Sequence, residues 1–160
     1  GWILPVQREI LLVPMPTTRY ADSGGRVLHC DTGRPAIEWS DGSGPFYLHG
    51  TEFGADLYRT VLGGRLPVPA IAAMRHAGQR AIAMRYLTFD TADAAGAQLL
   101  DSGVYRLPLP PRLAGRDRAF AYFTRLGATQ SIQWVDAPTI DGDPTDRGRE
   151  AQQEVSMRNL

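Results

Sequence analysis

The sequence predicts an α+β fold, in which an antiparallel β-hairpin sheet is followed by a central group of short helices and a second set of antiparallel strands. Short runs of β-branched and aromatic residues alternate with Gly, Pro and Asp clusters in both halves of the chain. Between them, apolar residues recur at helical spacing. Hydrophobic residues are 43% of the 160 residues and charged residues 21%, which is typical of a globular chain. We expect a single domain over 1–160.

The first segment, 8–50, is predicted to form a hairpin unit. It holds short strand-like runs that end at Gly, Pro or Asp clusters, at 9–13, 26–30, 36–40 and 45–49. Clusters of these residues favour tight turns, so the runs are expected to pair as antiparallel strands.

The central segment, 54–88, is predicted to be helical. One helical face carries a set of apolar residues, namely Leu57, Tyr58, Val61 and Leu62. Gly63 and Gly64 end that helix. Pro69 suits the first turn of a second helix, and 79–87 predicts a third.

The last part, 97–135, returns to strands. Two hairpins are predicted there, one pairing 97–100 with 104–107 and the other pairing 119–126 with 131–135. The polar tail over 146–157 predicts a short terminal helix.

The charged residues exclude several function classes. All 17 cationic residues are arginines and are balanced by 17 acidic residues, so the net charge is zero. Nucleic-acid binders carry a basic surplus, and we therefore expect no nucleic-acid partner. Without lysine, the chain cannot supply a Schiff-base lysine or a phosphate-loop lysine.

Apolar runs and cysteine content indicate the environment. No apolar run reaches the roughly 20 residues that cross a bilayer, so no membrane partner is expected. Cys30 is the only cysteine. An internal disulfide cannot form, which favours a reducing, cytoplasmic location. Since the chain starts at Gly1 and lacks an initiator Met, we expect it to be either trimmed at its start or part of a longer protein.

The candidate site residues follow from an expected strand alternation. Asp41-Gly42-Ser43-Gly44 suits a two-residue turn with Gly42 and Ser43 at its tip. That register pairs Trp39 with Phe46 and Ile37 with Leu48. Because side chains alternate between faces, one face would carry Cys30, Glu38, Tyr47 and His49. His29 would lie on the opposite, apolar face.

These four residues are the candidate catalytic residues. The Cys30 thiol and the His49 imidazole would form a nucleophile pair, with Glu38 orienting the imidazole and Tyr47 beside them. The same types of ligand would accept zinc, although we predict no metal and no cofactor. The alternative is an ordinary half-buried strand face on which His49 and Tyr47 form local hydrogen bonds.

The segment 28–50 resembles a known pattern. Its defining residues are Leu28-His29, Gly33, Pro35-Ala36, Asp41-Gly42, Tyr47 and His49-Gly50. They are similar to short β-hairpin repeats of phage and bacterial proteins, and to an uncharacterised bacterial domain family in which such a unit precedes helices and strands. Arg34, between Gly33 and Pro35, departs from the pattern. The resemblance implies a fold and no activity.

Two functions are therefore expected from the sequence. The first is a binding or interaction module for a protein or small-molecule ligand. The alternative is a small enzyme that tailors a peptide or metabolite by His/Glu acid–base chemistry, which would make it a biosynthetic protein. A concave pocket that receives His49 would favour the enzyme, and a flat aromatic face would favour a protein partner.

Overall fold

The computed structural model has an α+β fold with antiparallel sheets and short helices, as the sequence predicts. It forms two compact units, Gly1–Ala55 and Asp56–Leu160. The expectation of a single domain over 1–160 stays a prediction, and the expected terminal helix at 146–157 lies outside the described residues. The structure describes residues 2–6, 9–13, 15–22, 24–100, 102–114, 118–138 and 140.

The first unit begins with an antiparallel strand pair. Strand β1, Trp2–Val6, pairs with β2, Glu9–Val13, and Trp2 lies opposite Val13. The run 9–13 predicts β2 correctly. β1 lies outside the segments predicted to be strands. Its Pro5 is tolerated because β1 pairs on one side only, in a two-stranded sheet.

Four very short strands follow. Strand β3, Thr18–Arg19, pairs with β4, Ile37–Glu38. Strand β5, Phe46–Leu48, pairs with β6, Thr51–Phe53. The predicted pairing of Trp39 with Phe46 and of Ile37 with Leu48 is therefore wrong.

The cause of this shift is the loop between β4 and β5. The carboxylate of Asp41 accepts hydrogen bonds from the backbone N–H of Ser43, at 2.9 Å, and from its hydroxyl, at 2.6 Å. An aspartate that bonds the chain two residues on builds its own turn. The loop closes where the Trp39 N–H donates to the Ser43 carbonyl, at 2.9 Å. Gly42 and Ser43 thus belong to a longer loop and do not form a two-residue tip.

The interior of the first unit is small. Its buried residues include Cys30, Ala36, Leu48 and Phe53. The segment 28–30 lies beside β5 and its turn. The Cys30 N–H donates to the Tyr47 carbonyl at 3.0 Å, and the Gly50 N–H donates to the Leu28 carbonyl at 2.8 Å.

Four helices follow: α1, Ala55–Leu62; α2, Val68–Ala73; α3, Ala77–Arg85; and α4, Phe89–Ala94. α1 ends before Gly63, as predicted, and buries Tyr58 and Val61. α4 is not predicted, since its FDTADA sequence lacks an apolar repeat. It is held at its start by Phe89, whose N–H donates to the Gln130 carbonyl at 2.7 Å.

The second unit also contains a four-stranded antiparallel sheet in the order β10-β9-β8-β7. Its strands are β7, Gln98–Leu99; β8, Val104–Pro108; β9, Phe120–Arg125; and β10, Ile132–Asp136. Both predicted hairpins are confirmed, and β8 and β9 join them into one sheet.

An aromatic row crosses the middle of this sheet. Tyr105, Phe123 and Trp134 lie opposite one another on adjacent strands. The rings of Tyr105 and Phe123 stack at 5.3 Å, and Trp134 meets Phe123 edge-on at 5.8 Å. Phe123 is completely buried.

In the described part of the chain, no helix has the length and apolar character needed to cross a bilayer.

Candidate functional site

The first unit holds all four candidate catalytic residues, but their expected common face does not exist. The rings of His29 and His49 stack with their centroids 4.2 Å apart and their planes at 27°. Strand alternation predicts that these two histidines lie on opposite faces, and this prediction is wrong. Its error follows from the shifted register of β4 and β5.

His49 lies in a turn and not in a strand. His49 and Gly50 connect β5 to β6, and Leu48 pairs with Thr51. Both turn residues have positive φ, 47° for His49 and 79° for Gly50, the backbone of a type I′ hairpin turn. The His49 N–H donates to Nδ1 of His29 at 3.1 Å. The residue that the sequence suggests as a catalytic base thus sits in a strained backbone position beside a second histidine.

Cys30 is buried in the interior of the first unit. Its Sγ lies 3.2 Å from the Thr32 hydroxyl. A nucleophilic thiol needs both access and a thiolate-stabilising environment. A buried thiol beside a neutral hydroxyl has the character of a packed core residue.

Glu38 forms an ion pair near its own position in the chain. Its Oε2 lies 2.5 Å from an amino nitrogen of Arg34, and the Glu38 side chain is 13% exposed. Arg34 also lies over the ring of Tyr20, at 5.7 Å from its centroid. The residue that departs from the repeat pattern is therefore the one that engages the Glu38 carboxylate.

Tyr47 engages a different carboxylate. Its hydroxyl donates to Oε2 of Glu52 at 3.2 Å across the β5–β6 pair. Burial, followed by the hydrogen bond to Glu52 and the negative charge of Glu52, raises the pKa of Tyr47 above its ordinary value. Tyr47 therefore keeps its proton at neutral pH and acts as a hydrogen-bond donor.

Among the described residues, no three His, Cys, Asp or Glu side chains are grouped to hold a metal ion.

A concave site that the sequence does not predict lies in the second unit. A cavity of about 420 Å³ opens between the start of α2 and α4. Its volume falls within the range of small-molecule sites. The lining residues are Arg65, Pro67, Val68, Pro69, Asp90, Thr91, Ala94 and Ala95.

Gly64 joins the two walls of this cavity. Its carbonyl accepts hydrogen bonds from the Thr88 hydroxyl at 3.1 Å and from the Thr91 hydroxyl at 2.7 Å. Gly64 has a φ of +61°, and a Cβ there would lie 2.3 Å from Thr88 Cγ2 and 2.7 Å from the Tyr86 carbonyl oxygen. Only glycine permits this approach. The contacts of Gly64 with Tyr86, Thr88 and Thr91 thus hold the two walls of the cavity in place.

The walls of the cavity are mainly apolar. Pro67, Val68 and Pro69 form one side, and alanines of α4 contribute to the other. Arg65 and Asp90 bring one positive and one negative charge. Neither side chain forms an ion pair with any residue that the structure describes. The polar groups of the lining are thus a guanidinium, a carboxylate and the Thr91 hydroxyl.

The sequence offers only weak signals for this site. Gly63 and Gly64 predict the end of a helix, which is correct, but nothing in the pattern assigns Gly64 to the threonines 24 and 27 positions later. Since α4 itself is not predicted, its contribution to a cavity cannot be predicted either. A Pro-Val-Pro segment after paired glycines is the nearest available signal.

Comparison with known protein families, with curated proteins and with solved structures finds no match to this chain.

Proposed function

We propose that the chain is a binding module that takes a small organic ligand in the cavity between α2 and α4. The observation that carries this proposal is a cavity of ligand size whose two walls are fastened together by Gly64. A preformed cavity binds without a large ordering cost, which favours ligand affinity.

The ligand is a zwitterion with an apolar body, of the class of short apolar peptides. The apolar walls favour an apolar body. Arg65 favours a carboxylate on the ligand, whereas Asp90 favours an ammonium group. A ligand of either single charge would be attracted by one of these side chains and repelled by the other. A molecule with both charges satisfies the two.

The geometry favours this module over the enzyme alternative. His49 is stacked on His29, Glu38 is paired with Arg34, and Cys30 is buried. The cavity, meanwhile, lies within the second unit, whereas these residues belong to the first. The proposal therefore assigns binding to Arg65 and Asp90, and it assigns the four candidate residues to the stability of the hairpin unit.

The hairpin unit is proposed to serve a second, separate interaction. Its likeness to bacterial and phage β-hairpin repeats supports an interaction module within a longer bacterial protein. The buried free thiol of Cys30 is compatible with a cytoplasmic location. On this view, the hairpin unit contacts a protein partner or a neighbouring domain, while the second unit holds the small ligand.

The dipeptide Leu-Leu tests the proposal, because it has apolar side chains and both terminal charges. We expect its addition to shift the ¹H–¹⁵N resonances of 65–69 and 90–95. Ala94→Phe should fill the cavity and abolish these shifts. Ala70→Phe is the matched control, since Ala70 is an exposed alanine of α2 outside the cavity lining.

The uncharged analogue N-acetyl-Leu-Leu-amide tests the role of the charges. We expect it to bind at least about tenfold more weakly, because both charge-assisted contacts are lost. Binding of Leu-Leu that survives in Ala94→Phe, shifts confined to 28–50, or failure of Leu-Leu to bind would each contradict the proposal.

A further inference from the structure

A hydrogen bond between the two stacked histidines of the first unit determines which ring nitrogen of neutral His29 carries the proton. The His49 backbone N–H donates to Nδ1 of His29 at 3.1 Å. An accepting Nδ1 holds a lone pair, so the proton of the neutral His29 ring must be on Nε2. That Nε2 lies 3.7 Å from a carboxylate oxygen of Asp31. The surroundings thus define one tautomer of His29.

His49 and Asp31 are the titratable residues that contact the His29 side chain in the described part of the chain. The His49 ring lies against one face of the His29 ring, and Asp31 lies at Nε2. Cys30 is the next residue in the chain, with its thiol directed to Thr32. The His29 side chain is 17% exposed, so water reaches part of the ring. Protons from solvent can therefore reach His29 without unfolding the unit.

The hydrogen bond holds a turn that is costly to form. His49 adopts a φ of 47°, which is unfavourable for a residue with a Cβ. Each residue of the turn forms a hydrogen bond with the segment 28–29. The His49 N–H donates to His29, and the Gly50 N–H donates to the Leu28 carbonyl at 2.8 Å. Loss of the bond to His29 leaves the strained residue without this support from its backbone N–H.

We propose that His29 is a proton-operated latch for the His49-Gly50 turn. In neutral His29, Nδ1 accepts the His49 N–H and the turn is closed. When a proton from solvent binds Nδ1, two N–H groups face each other and the hydrogen bond is lost. The His29 ring then also carries a positive charge 4.2 Å from the His49 ring. Acid therefore opens the turn between β5 and β6.

NMR of the complete chain tests the latch directly. The ¹⁵N shifts of His29 report its tautomer, and solvent exchange of the His49 amide, corrected for the intrinsic pH dependence, reports the turn. We expect a proton on Nε2 alone at neutral pH. Protection of the His49 amide should fall roughly tenfold, which corresponds to one hydrogen bond. The fall should coincide with protonation of His29, which its own ¹⁵N shifts report as the pH is lowered.

His29→Asn separates protonation from the hydrogen bond. The Asn carbonyl oxygen can accept at the position of Nδ1 but has no proton to gain or lose as the pH is lowered. We expect protection of the His49 amide in this variant to be independent of pH. His76→Asn is the control, because His76 is exposed and belongs to the second unit, and it should keep the wild-type pH dependence.

Three results would overturn the latch. They are a proton on Nδ1 of neutral His29, unchanged protection of the His49 amide while His29 becomes protonated, and the wild-type pH dependence in His29→Asn. Should His29→Asn fail to fold, the tautomer and the exchange profile of the wild-type chain decide the question. None of these results bears on the cavity between α2 and α4.

Discussion

The two units of this chain use their polar side chains in opposite ways. In the first unit, the residues with the strongest chemical character have local partners, such as Arg34 for Glu38 and Glu52 for Tyr47. In the second unit, Arg65 and Asp90 stand at a cavity without an ion pair among the described residues. Residue type alone therefore suggests a functional site in the first unit, whereas the geometry of the side chains suggests a functional site in the second unit.

Element length explains this difference. Strands β3 to β6 contain two or three residues each. Such short pairs bury little apolar surface and need side-chain hydrogen bonds to fix their turns. In the second unit, β8, β9 and β10 contain five or six residues each and carry the aromatic row, so its polar residues are less needed for stability than those around β3 to β6. Four predictions test this contrast, from the largest expected effect to the smallest.

Phe123→Ala should destabilise the second unit most strongly. Phe123 is fully buried at the centre of the aromatic row, and truncation of a buried Phe costs about 3–5 kcal/mol. Urea denaturation followed by tryptophan fluorescence measures the change. Phe120→Ala, in the same strand but 36% exposed, should cost less than half as much. Equal losses would show that the row is not the core of this unit.

Gly64→Ala should both destabilise the second unit and damage the cavity. The positive φ alone costs about 1–2 kcal/mol, and the added Cβ would meet the Tyr86 carbonyl oxygen at 2.7 Å. We expect a total loss of about 2–4 kcal/mol in denaturation, with weaker binding of Leu-Leu. Gly63→Ala is the control for stability alone, because Gly63 has no positive φ and its Cβ would mainly meet the Arg65 guanidinium, at 3.0 Å. A Gly64→Ala protein with wild-type stability would refute the role of this glycine.

Gly50→Ala should have a smaller effect, confined to the first unit. Its φ is +79°, and the added Cβ would lie 2.8 Å from Val27 Cγ1, a methyl group that can move. We expect a loss of about 1–2 kcal/mol, measured by hydrogen exchange of β5 and β6. Gly54→Ala meets no atom within 4 Å and should be nearly neutral. An effect on 65–69 or 90–95 would contradict its confinement to the hairpin unit.

Acid should loosen the loop between β4 and β5 by a small amount. Hydrogen bonds from the Ser43 hydroxyl and backbone N–H lower the pKa of Asp41 below its ordinary value of 3.8. This contribution is complete above the unfolded pKa and is lost as pH falls through the folded pKa. Amide exchange at 41–43 should therefore rise in acid below about pH 4 in the wild type, but not in Asp41→Asn. Identical profiles for the two proteins would dismiss the turn as a source of acid sensitivity.

The sequence predicts those elements that depend on neighbouring residues, and it fails for contacts between residues that are distant in the chain. α1 and the two later hairpins are set by local periodicity and turn residues, and they are predicted. The pairing of β4 with β3 is not, because the side chain of Asp41 replaces a two-residue turn by a longer loop. A shift of this kind reassigns every side chain to a new neighbour, and that is why the expected face around His49 is absent.

The cavity could not be predicted for a different reason. It depends on the close approach of Gly64 to Thr88 and Thr91, which are far from it in the chain. No local pattern encodes that contact. The residues at the cavity are ordinary prolines, alanines and single charges, which resemble surface residues until the fold brings them together.

Native mass spectrometry of Leu-Leu complexes compares the two units most directly. We expect the wild-type chain and His49→Asn to bind the dipeptide equally, since Asn tolerates the positive φ at position 49. Ala94→Phe should not bind it. Retained binding in Ala94→Phe together with lost binding in His49→Asn would rule out the cavity between α2 and α4 and place the ligand site in the hairpin unit.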